Sequence, residues 1–224
     1  MASKAAPHPR SRQIPQRLGR DFIARHGETV FNAARRLQGD HPHTPLTRAG
    51  FAQADEMGRA LRMVLGAKPA LTLWASPTGR ALQTLAVIAE HLELDWHDAR
   101  TDDRLVEIDM GVWGGRYYAD VIAEVGPVID PVTGLLMPSP DGELYPQIAK
   151  RVTGWLSDTD DDPGDRLVLM HGISSRVLRG VMTGATVTPG FDAPVADGLP
   201  QGSLVMIERG VETVAHRGSG YAPA

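Results

Sequence analysis

Three short apolar runs in the sequence are each followed by residues that can bind or transfer a phosphoryl group. Arg25-His26-Gly27 follows the run Phe22–Ala24. Ser76-Pro77 and then Arg80 follow the run Leu71–Ala75, and His171-Gly172 follows the run Leu167–Met170. A neutral imidazole can attack phosphorus, and nearby positive charge keeps it neutral at pH 7. The forked guanidinium of arginine matches the oxygens of a phosphoryl group. If the three ends meet, two histidines and two arginines converge on one crevice suited to phosphoryl transfer.

A phosphoryl transfer to histidine also needs a proton donor for the leaving alkoxide. The segment Leu105-Val106-Glu107-Ile108-Asp109 supplies two carboxylates bracketed by apolar residues, which is a suitable setting for a general acid. Glu107 is the candidate, with Asp109 as the alternative. His41 and His43 could suggest a metal site together with His26, but we expect them to lie in a solvated loop without that role.

The elements between these runs predict an α/β fold. Thr47 resembles an N-cap residue, and apolar residues follow it at helical spacing; two later segments repeat this periodicity. The apolar positions are Ala54, Met57, Leu61 and Val64, then Ala81, Leu85, Ile88 and Leu92, then Leu144, Ile148, Val152 and Trp155. Short apolar strands separated by helices favour a sheet that is covered on both faces, with ligands at the carboxyl ends of the strands.

Two other segments have a different character. Residues 112–142 are rich in Gly and Pro and show no clean period, and the acidic residues between Asp158 and Asp162 are typical of a solvated turn. Near the C-terminus, Ser203–Ile207 and Val211–Ala215 flank Arg209-Gly210 as a predicted hairpin or strand pair.

Composition limits the class of protein. The chain has 224 residues, 42% of them hydrophobic, with a net charge of −4 and no cysteine. A disulfide framework, a thiolate metal site and a cysteine nucleophile are therefore excluded. No apolar stretch approaches the length of a membrane span, and the net charge argues against a dedicated nucleic-acid binder. We expect a soluble, cytoplasmic protein that binds neither nucleic acid nor membrane.

The charge is unevenly distributed along the chain. Residues 1–20 contain five basic residues and no acidic one, whereas the remaining 204 residues carry a formal charge of −9. The first segment also has three prolines and few large apolar side chains. We interpret residues 1–20 as a disordered basic arm and residues 21–224 as one domain.

With these residues in view, the sequence resembles the histidine phosphatase superfamily, also called the phosphoglycerate mutase-like family. The resemblance covers residues 21–180 in the order and spacing of the family. The matching pieces are Arg25-His26-Gly27-Glu28-Thr29-Val30-Phe31-Asn32, Gln38-Gly39, Pro45-Leu46-Thr47 with Gly50 and Gln53-Ala54, Ser76-Pro77 with Arg80-Ala81 and Gln83-Thr84, Glu107 with Gly111 and Trp113, and His171-Gly172. It implies a three-layer α/β sandwich around a mostly parallel sheet.

The resemblance also implies a role for each site residue. His26 matches the nucleophile that accepts the phosphoryl group, and Glu107 matches the acid that protonates the leaving oxygen. Arg25, Arg80 and His171 match the pocket that holds the phosphate. Asn32 matches a polar contact near the nucleophile. The scheme requires no metal and no other cofactor, because the arginines stabilise the transferred charge.

The sequence favours hydrolysis over mutase-type transfer. A mutase must hold a strongly anionic bisphosphorylated intermediate. Residues 105–149, however, contain seven acidic residues and only one basic residue, Arg116. We therefore expect a phosphatase that acts on a small-molecule phosphate ester with a neutral or apolar body. A phosphoglycerate mutase-type enzyme, and a phospho-ligand binding protein without turnover, remain as alternatives. The sequence leaves the physiological substrate and the oligomeric state open.

Overall fold

A central six-stranded sheet organises the protein. The computed structural model describes residues 17–162 and 164–220. The strands of the sheet are β1 (Asp21–Arg25), β2 (Leu71–Ala75), β3 (Arg100–Thr101), β4 (Asp165–Met170), β7 (Leu204–Glu208) and β8 (Val211–His216), and their spatial order is β3-β2-β4-β1-β7-β8. A separate two-stranded pair consists of β5 (Val187–Thr188) and β6 (Ala193–Pro194).

The sheet is mostly parallel, as predicted. β1, β2, β3 and β4 run parallel to one another, whereas β7 and β8 are antiparallel additions at one edge. The turn between β7 and β8 is the predicted Arg209-Gly210 pair, and both residues have positive φ angles of 51° and 77°. Two successive positive φ angles are what a two-residue hairpin turn compatible with strand twist requires.

Helices cover both faces of the sheet. They are α1 (Val30–Ala33), α2 (Arg48–Leu65), α3 (Gly79–Leu92), α4 (Tyr118–Val125), α5 (Tyr145–Asp158) and α6 (Gly172–Thr183). Thr47 caps α2 as predicted, because its side chain accepts a hydrogen bond from the backbone N–H of Gly50 at 3.1 Å. None of the helices in the described ranges is long and apolar enough to cross a membrane.

Alternation along the strands separates the core into two layers. In β4, Leu167 and Leu169 pack in the layer that contains α2 and α3. The intervening residues Val168 and Met170 pack in the layer that contains α5 and α6. Successive side chains of a strand point to opposite faces, so a fully apolar strand is explained by helices on both sides.

Two segments differ from the sequence-based expectations. The irregular stretch 112–142 contains α4, which the periodicity missed because Ile122 and Val125 are exposed and Val121 is its single buried residue. The predicted solvated turn is wrong for Asp162. Its carboxylate accepts hydrogen bonds from Trp74 at 2.8 Å and Arg100 at 3.1 Å, and its side chain is only 9% exposed.

The predicted N-terminal arm falls mostly outside the described residues, which begin at residue 17. Within the described part, Arg17 donates hydrogen bonds to Asp21 at 2.6 Å and to the backbone oxygen of Gly164 at 2.8 Å. Arg20 binds Asp165 through two nitrogens, at 3.0 and 2.6 Å. These two basic residues therefore connect the chain before β1 to the beginning of β4.

A close contact between backbones holds α2 against the segment that follows β1. A Cβ atom on Gly27 would lie 2.2 Å from the backbone oxygen of Gly50, and one on Gly50 would lie 2.1 Å from the backbone oxygen of Glu28. Neither glycine has a positive φ angle. These positions require glycine because there is no room for a side chain, and not because the backbone has an unusual conformation.

Replacing Gly50 with Ala should destabilise the protein by about 1–3 kcal/mol, because the new methyl group meets backbone atoms that cannot rotate away. Gly154→Ala in α5 is the matched control, since its Cβ would lie 3.7 Å from Arg104 in ordinary contact. That control should be stabilising, by up to about 1 kcal/mol, through helix propensity. Urea unfolding of both variants measures the two effects, and equal shifts in the same direction would contradict the packing argument.

Candidate active site

The carboxyl ends of β1 and β4 bring the two predicted histidines together. Arg25 is paired with Met170 in the sheet, and His26 N–H donates to the Met170 oxygen at 3.1 Å, so His26 and His171 leave adjacent strands side by side. Their ring centroids are 5.2 Å apart, at an interplanar angle of 64°. Both side chains are buried, at 2% and 0% exposure. The third strand end also arrives here, because β2 is paired with β4.

The hydrogen bond of His26 determines which of its nitrogens is available. Nδ1 lies 2.7 Å from the backbone oxygen of Gly27. A carbonyl can only accept, so Nδ1 carries the proton and the lone pair of the neutral ring is on Nε2. Within the described part of the chain, the one hydrogen bond assigned to the His26 ring is that of Nδ1. A neutral imidazole with this tautomer presents Nε2 as its nucleophilic atom.

His171 has the opposite tautomer. The Nε–H of Arg80 donates to Nδ1 of His171 at 3.1 Å, so Nδ1 is the acceptor and the proton lies on Nε2. Nε2 is buried and has no partner among the described residues. His171 therefore presents an N–H donor, and His26 presents a lone pair.

Arg80 is fully buried and is surrounded by neutral acceptors. Besides His171, it donates to the backbone oxygens of Gly39 at 2.7 Å and His41 at 2.6 Å, and to the hydroxyl of Thr44 at 2.9 Å. These bonds use four of its five N–H donors, which leaves one donor on Nη2. No carboxylate of the described ranges lies within 4.0 Å of this guanidinium.

The positive charges have consequences for the titration of the site. Burial, and then the charge of Arg80, lower the pKa of His26 well below 6.5. Burial, Arg80 and His26 lower the pKa of His171 in the same way. Burial also lowers the pKa values of Arg25 and Arg80 to about 10, against the opposing attraction of Glu107. At neutral pH both imidazoles are neutral and both guanidiniums are charged.

Glu107 binds the N-terminus of α6, the helix that begins immediately after His171. Its Oε1 accepts from the backbone N–H groups of Ile108 at 3.0 Å and Ser174 at 2.9 Å, and its Oε2 accepts from that of Ile173 at 3.0 Å. A carboxylate in this position satisfies otherwise unpaired amides and interacts favourably with the helix dipole. Asp109, the alternative acid, is exposed and accepts from Gly111 N–H at 2.8 Å.

The remaining predicted residues are Arg25 and Asn32. Arg25 is buried, and one of its terminal nitrogens donates to the backbone oxygen of Leu199 at 2.7 Å. Asn32 forms a capping box with Thr29 at the start of α1, accepting from the Thr29 N–H at 3.1 Å and hydroxyl at 2.9 Å. The N–H of Gly27, the residue after His26, donates to the hydroxyl of Thr84 at 3.2 Å and so points away from the site.

A cavity of about 260 Å³ joins most of these groups, although neither Arg80 nor His171 is part of its wall. Four of the six predicted residues line it: Arg25, His26, Asn32 and Glu107. The sequence analysis missed Arg35, Arg36, Gln38, Met110, Tyr118, Ile122, Ile129 and Gln201, which also line it. These side chains come from loops and from α4, where no periodicity indicated a position. The match of Gln38-Gly39 to the family pattern was the one feature of the sequence that pointed to this part of the cavity wall.

The described residues contain no cluster of three or more His, Cys, Asp or Glu side chains that could hold a metal ion. The site offers one carboxylate, two neutral imidazoles and two buried guanidiniums. Chemically, this set places a nucleophilic nitrogen, an N–H donor and positive charge next to one another at the ends of β1 and β4. It is suited to a dianionic phosphoryl group.

Comparison with known proteins gives a family match and several relatives. The family model described as "Histidine phosphatase superfamily (branch 1)" matches residues 22–213. A probable phosphoglycerate mutase, GpmB, from Citrobacter koseri is 34% identical over 170 residues, which are 73% of this chain and 74% of that relative. The protein of the same name from Yersinia pestis is 29% identical over 170 residues, with the same shares covered.

Solved structures share the fold. A mycobacterial glucosyl-3-phosphoglycerate phosphatase superposes with a TM-score of 0.70 at 23% identity, over 91% of this chain and 100% of that chain. A putative α-ribazole-5′-phosphate phosphatase from Escherichia coli gives a TM-score of 0.66 at 21% identity, over 90% and 96% of the two chains. At these identities the likeness concerns the fold alone, and it agrees with the predicted α/β sandwich.

Nitrogen NMR of the imidazole rings tests the two tautomers. Signals assigned with His26→Ala and His171→Ala should report protonated Nδ1 in His26, protonated Nε2 in His171, and neutral rings down to pH values well below 6.5. Below about pH 6.5 the unfolded chain protonates these two histidines, whereas the folded protein keeps them neutral. The two groups should therefore lower the free energy of unfolding as the pH drops below about 6.5, by up to about 1.4 kcal/mol per pH unit each. Protonation near pH 6.5 in the native protein would contradict this electrostatic description.

Proposed function

The chain belongs to the histidine phosphatase superfamily, and from this premise we propose that it hydrolyses phosphate monoesters of small molecules through a phosphohistidine at His26, without a metal ion. The observation that carries the proposal is the complementary pair of histidines. His26 presents a lone pair on Nε2, while the neighbouring His171 has a buried Nε2–H without a partner among the described residues. One ring attacks phosphorus, and the other donates to a phosphoryl oxygen.

In the first step, Nε2 of His26 forms a bond to phosphorus as the bond from phosphorus to the ester oxygen breaks. The donor of His171, the remaining Nη2 donor of Arg80 and the charge of Arg25 stabilise the negative charge on the transferred group. Asn32 completes the polar wall beside the nucleophile. In the second step, water attacks phosphorus, the bond to His26 breaks, and inorganic phosphate is released.

Glu107 moves the proton in both steps. It donates a proton to the leaving oxygen in the first step and accepts one from the attacking water in the second. Two described N–H groups occupy Oε1, whereas Oε2 accepts only one, so Oε2 has a lone pair that faces no other described donor. Oε2 is therefore the atom assigned to the proton.

The composition of residues 110–142, which we call the lid of the cavity, supports hydrolysis. Its contributions to the wall are Met110, Tyr118, Ile122 and Ile129, none of which is cationic. Its single arginine, Arg116, is hydrogen bonded to Glu124 and does not line the cavity in the described structure. A lid of this composition offers little to retain a bisphosphorylated intermediate.

Mutase-type phosphoryl transfer is the second candidate. It is favoured by the curated relatives, which are named probable phosphoglycerate mutases at up to 35% identity. It uses the same phosphohistidine and differs in whether water or a second hydroxyl group accepts the phosphoryl group.

The first experiment is an assay of the purified protein in EDTA with p-nitrophenyl phosphate and a panel of phosphate monoesters that includes 3-phosphoglycerate. Phosphate should be released without added metal, and His26→Ala should abolish the release because no other described nucleophile replaces it. His97→Ala, which changes a largely exposed histidine, is the matched control and should have wild-type activity.

Each product distinguishes one function. Formation of 2-phosphoglycerate without net phosphate would overturn hydrolysis in favour of transfer. Absence of both products, with phosphate esters still bound, would indicate a binding protein without turnover. Acid-labile, base-stable label on wild type but not on His26→Ala after incubation with ³²P-labelled substrate would identify the phosphohistidine directly.

Glu107→Gln tests the proton transfer. Hydrolysis of alkyl phosphates should slow by about 10²- to 10⁴-fold, whereas p-nitrophenyl phosphate should lose much less because nitrophenolate leaves without a proton. The ratio of the two rates is the readout, since it does not depend on how much of the variant is folded. Equal losses on both esters would contradict the assignment of proton transfer to Glu107 and would leave it with a structural role at the N-terminus of α6.

A further inference from the structure

A second, much smaller cavity lies behind Arg25. Its volume is about 10 Å³, and we call it the small cavity. Arg25 and Gly172 belong to the wall of the small cavity and also to the wall of the larger cavity that contains His26. The side chain of Arg25 therefore lies between the two. The other residues that line the small cavity are Ile23, Ser175, Arg179, Leu199, Ser203 and Val205.

The size and the polar wall of the small cavity suit one water molecule. A cavity of this volume holds a single water when the wall offers two to four hydrogen-bonding groups. Ser175 Oγ donates to the Gly172 oxygen at 3.3 Å, and Ser203 Oγ accepts from the Gly218 N–H at 2.9 Å. Each hydroxyl oxygen therefore retains a lone pair that can accept a hydrogen bond from a water.

Arg179 supplies a donor that is fixed in place. Its Nε donates to Glu212 Oε2 at 2.9 Å, and its Nη2 donates to Glu212 Oε1 at 2.6 Å and to the backbone oxygen of Asp197 at 3.0 Å. These bonds use Nε and both hydrogens of Nη2, and no hydrogen bond to a described residue is assigned to Nη1. The side chain is only 4% exposed. Nη1 is therefore the donor that Arg179 can offer to the small cavity.

The ion pair also explains how two guanidinium groups can share one small cavity. Like charges that are buried close together repel each other unless one of them is neutralised. Glu212, in the edge strand β8, neutralises Arg179 from the side away from Nη1. Arg25 is anchored by the wall of the same cavity, because its Nη1 donates to the Leu199 oxygen at 2.7 Å and its backbone N–H donates to the Ser203 oxygen at 3.0 Å.

We propose that Arg179 is a positioning residue that acts on Arg25 through one water molecule in the small cavity. The water accepts hydrogen bonds from the guanidinium groups of Arg179 and Arg25, and it donates to the hydroxyl oxygens of Ser175 and Ser203. It thereby fixes the guanidinium of Arg25 from behind in the orientation that binds the phosphoryl group. This inference rests on the proposed function, in which Arg25 stabilises the transferred charge.

Arg179→Met and Ser175→Val remove the bridge in two different ways. The first deletes the Nη1 donor, and the second puts methyl groups at the wall of the small cavity while the pair of Arg179 and Glu212 remains. Each should weaken the binding of inorganic phosphate by about 3- to 10-fold, as expected for the loss of one hydrogen bond. Arg179→Lys should retain part of the affinity, because its ammonium group is also a donor. ³¹P NMR titration at neutral pH measures these affinities.

Arg104→Met is the matched control. Arg104 binds both oxygens of Asp102 with the same fork, at 2.9 and 2.7 Å, and it lines neither cavity of the described structure. Its replacement should leave the phosphate affinity unchanged.

A second background separates positioning from a general structural effect. In Arg25→Ala the group to be positioned is gone, so Arg179→Met should cause no further loss of phosphate affinity. Effects that are independent of Arg25 would add to the loss. If Arg179→Met does not fold, Ser175→Val in the two backgrounds gives the same comparison.

The outcomes also separate this role from the proposed hydrolysis, because turnover of p-nitrophenyl phosphate is followed in parallel. Losses of phosphate affinity that require Arg25, together with an inactive wild type, would support the positioning role and overturn the hydrolysis. Turnover by wild type together with unchanged phosphate affinity in Ser175→Val would do the reverse. An equal loss with and without Arg25 would also overturn the positioning role.

Discussion

A fully buried guanidinium without a carboxylate partner among the described residues is the interaction on which this site depends. Arg80 is 0% exposed and donates only to neutral acceptors. Burying an unpaired charge is costly, so the fold must surround it with well-placed hydrogen bonds. Burial, and then the positive charge of Arg80, lower the pKa values of both histidines, and the same charge favours a dianion beside them. In the proposed function, the same feature therefore keeps the nucleophile neutral and attracts the phosphoryl group.

The sheet turns this electrostatic arrangement into defined geometry. Adjacent parallel strands place His26 and His171 beside each other, and their opposite hydrogen-bond partners, Gly27 O and Arg80 Nε, give the two rings opposite tautomers. The helix that begins after His171 then fixes Glu107 through its first amides. Backbone atoms thus position His26 and Glu107 and cannot adopt alternative rotamers, whereas the buried side chain of Arg80 positions His171.

The sequence predicted the histidine end of the cavity far better than the wall formed by the loop after α1 and by α4. His26, Arg80 and His171 follow apolar runs whose length and composition indicate buried strands, so topology alone brings them together. Arg36 and Ile122 lie in segments without periodicity, and their positions depend on the long-range ladder between residues 35–37 and 115–118. The contact of Asp162 with Trp74 could not be predicted because it also joins residues that are distant in the sequence. A cluster of acidic residues is typical of a solvated turn until such a distant partner is known.

This difference in predictability follows from a difference in how the two ends are built. The register of β1, β2 and β4 fixes the phosphoryl end, and a change there would move core residues on both faces of the sheet. The opposite wall of the cavity consists of one loop and one short helix joined by a few backbone hydrogen bonds, with Ile122 and Tyr117 still substantially exposed. Substitutions at Arg36 or Ile122 therefore leave the core and the histidine pair undisturbed. In the proposed function, the part of the cavity that faces the body of the substrate is therefore built from segments in which strand and helix patterns are weakest, and its residues can change while the phosphoryl end stays the same.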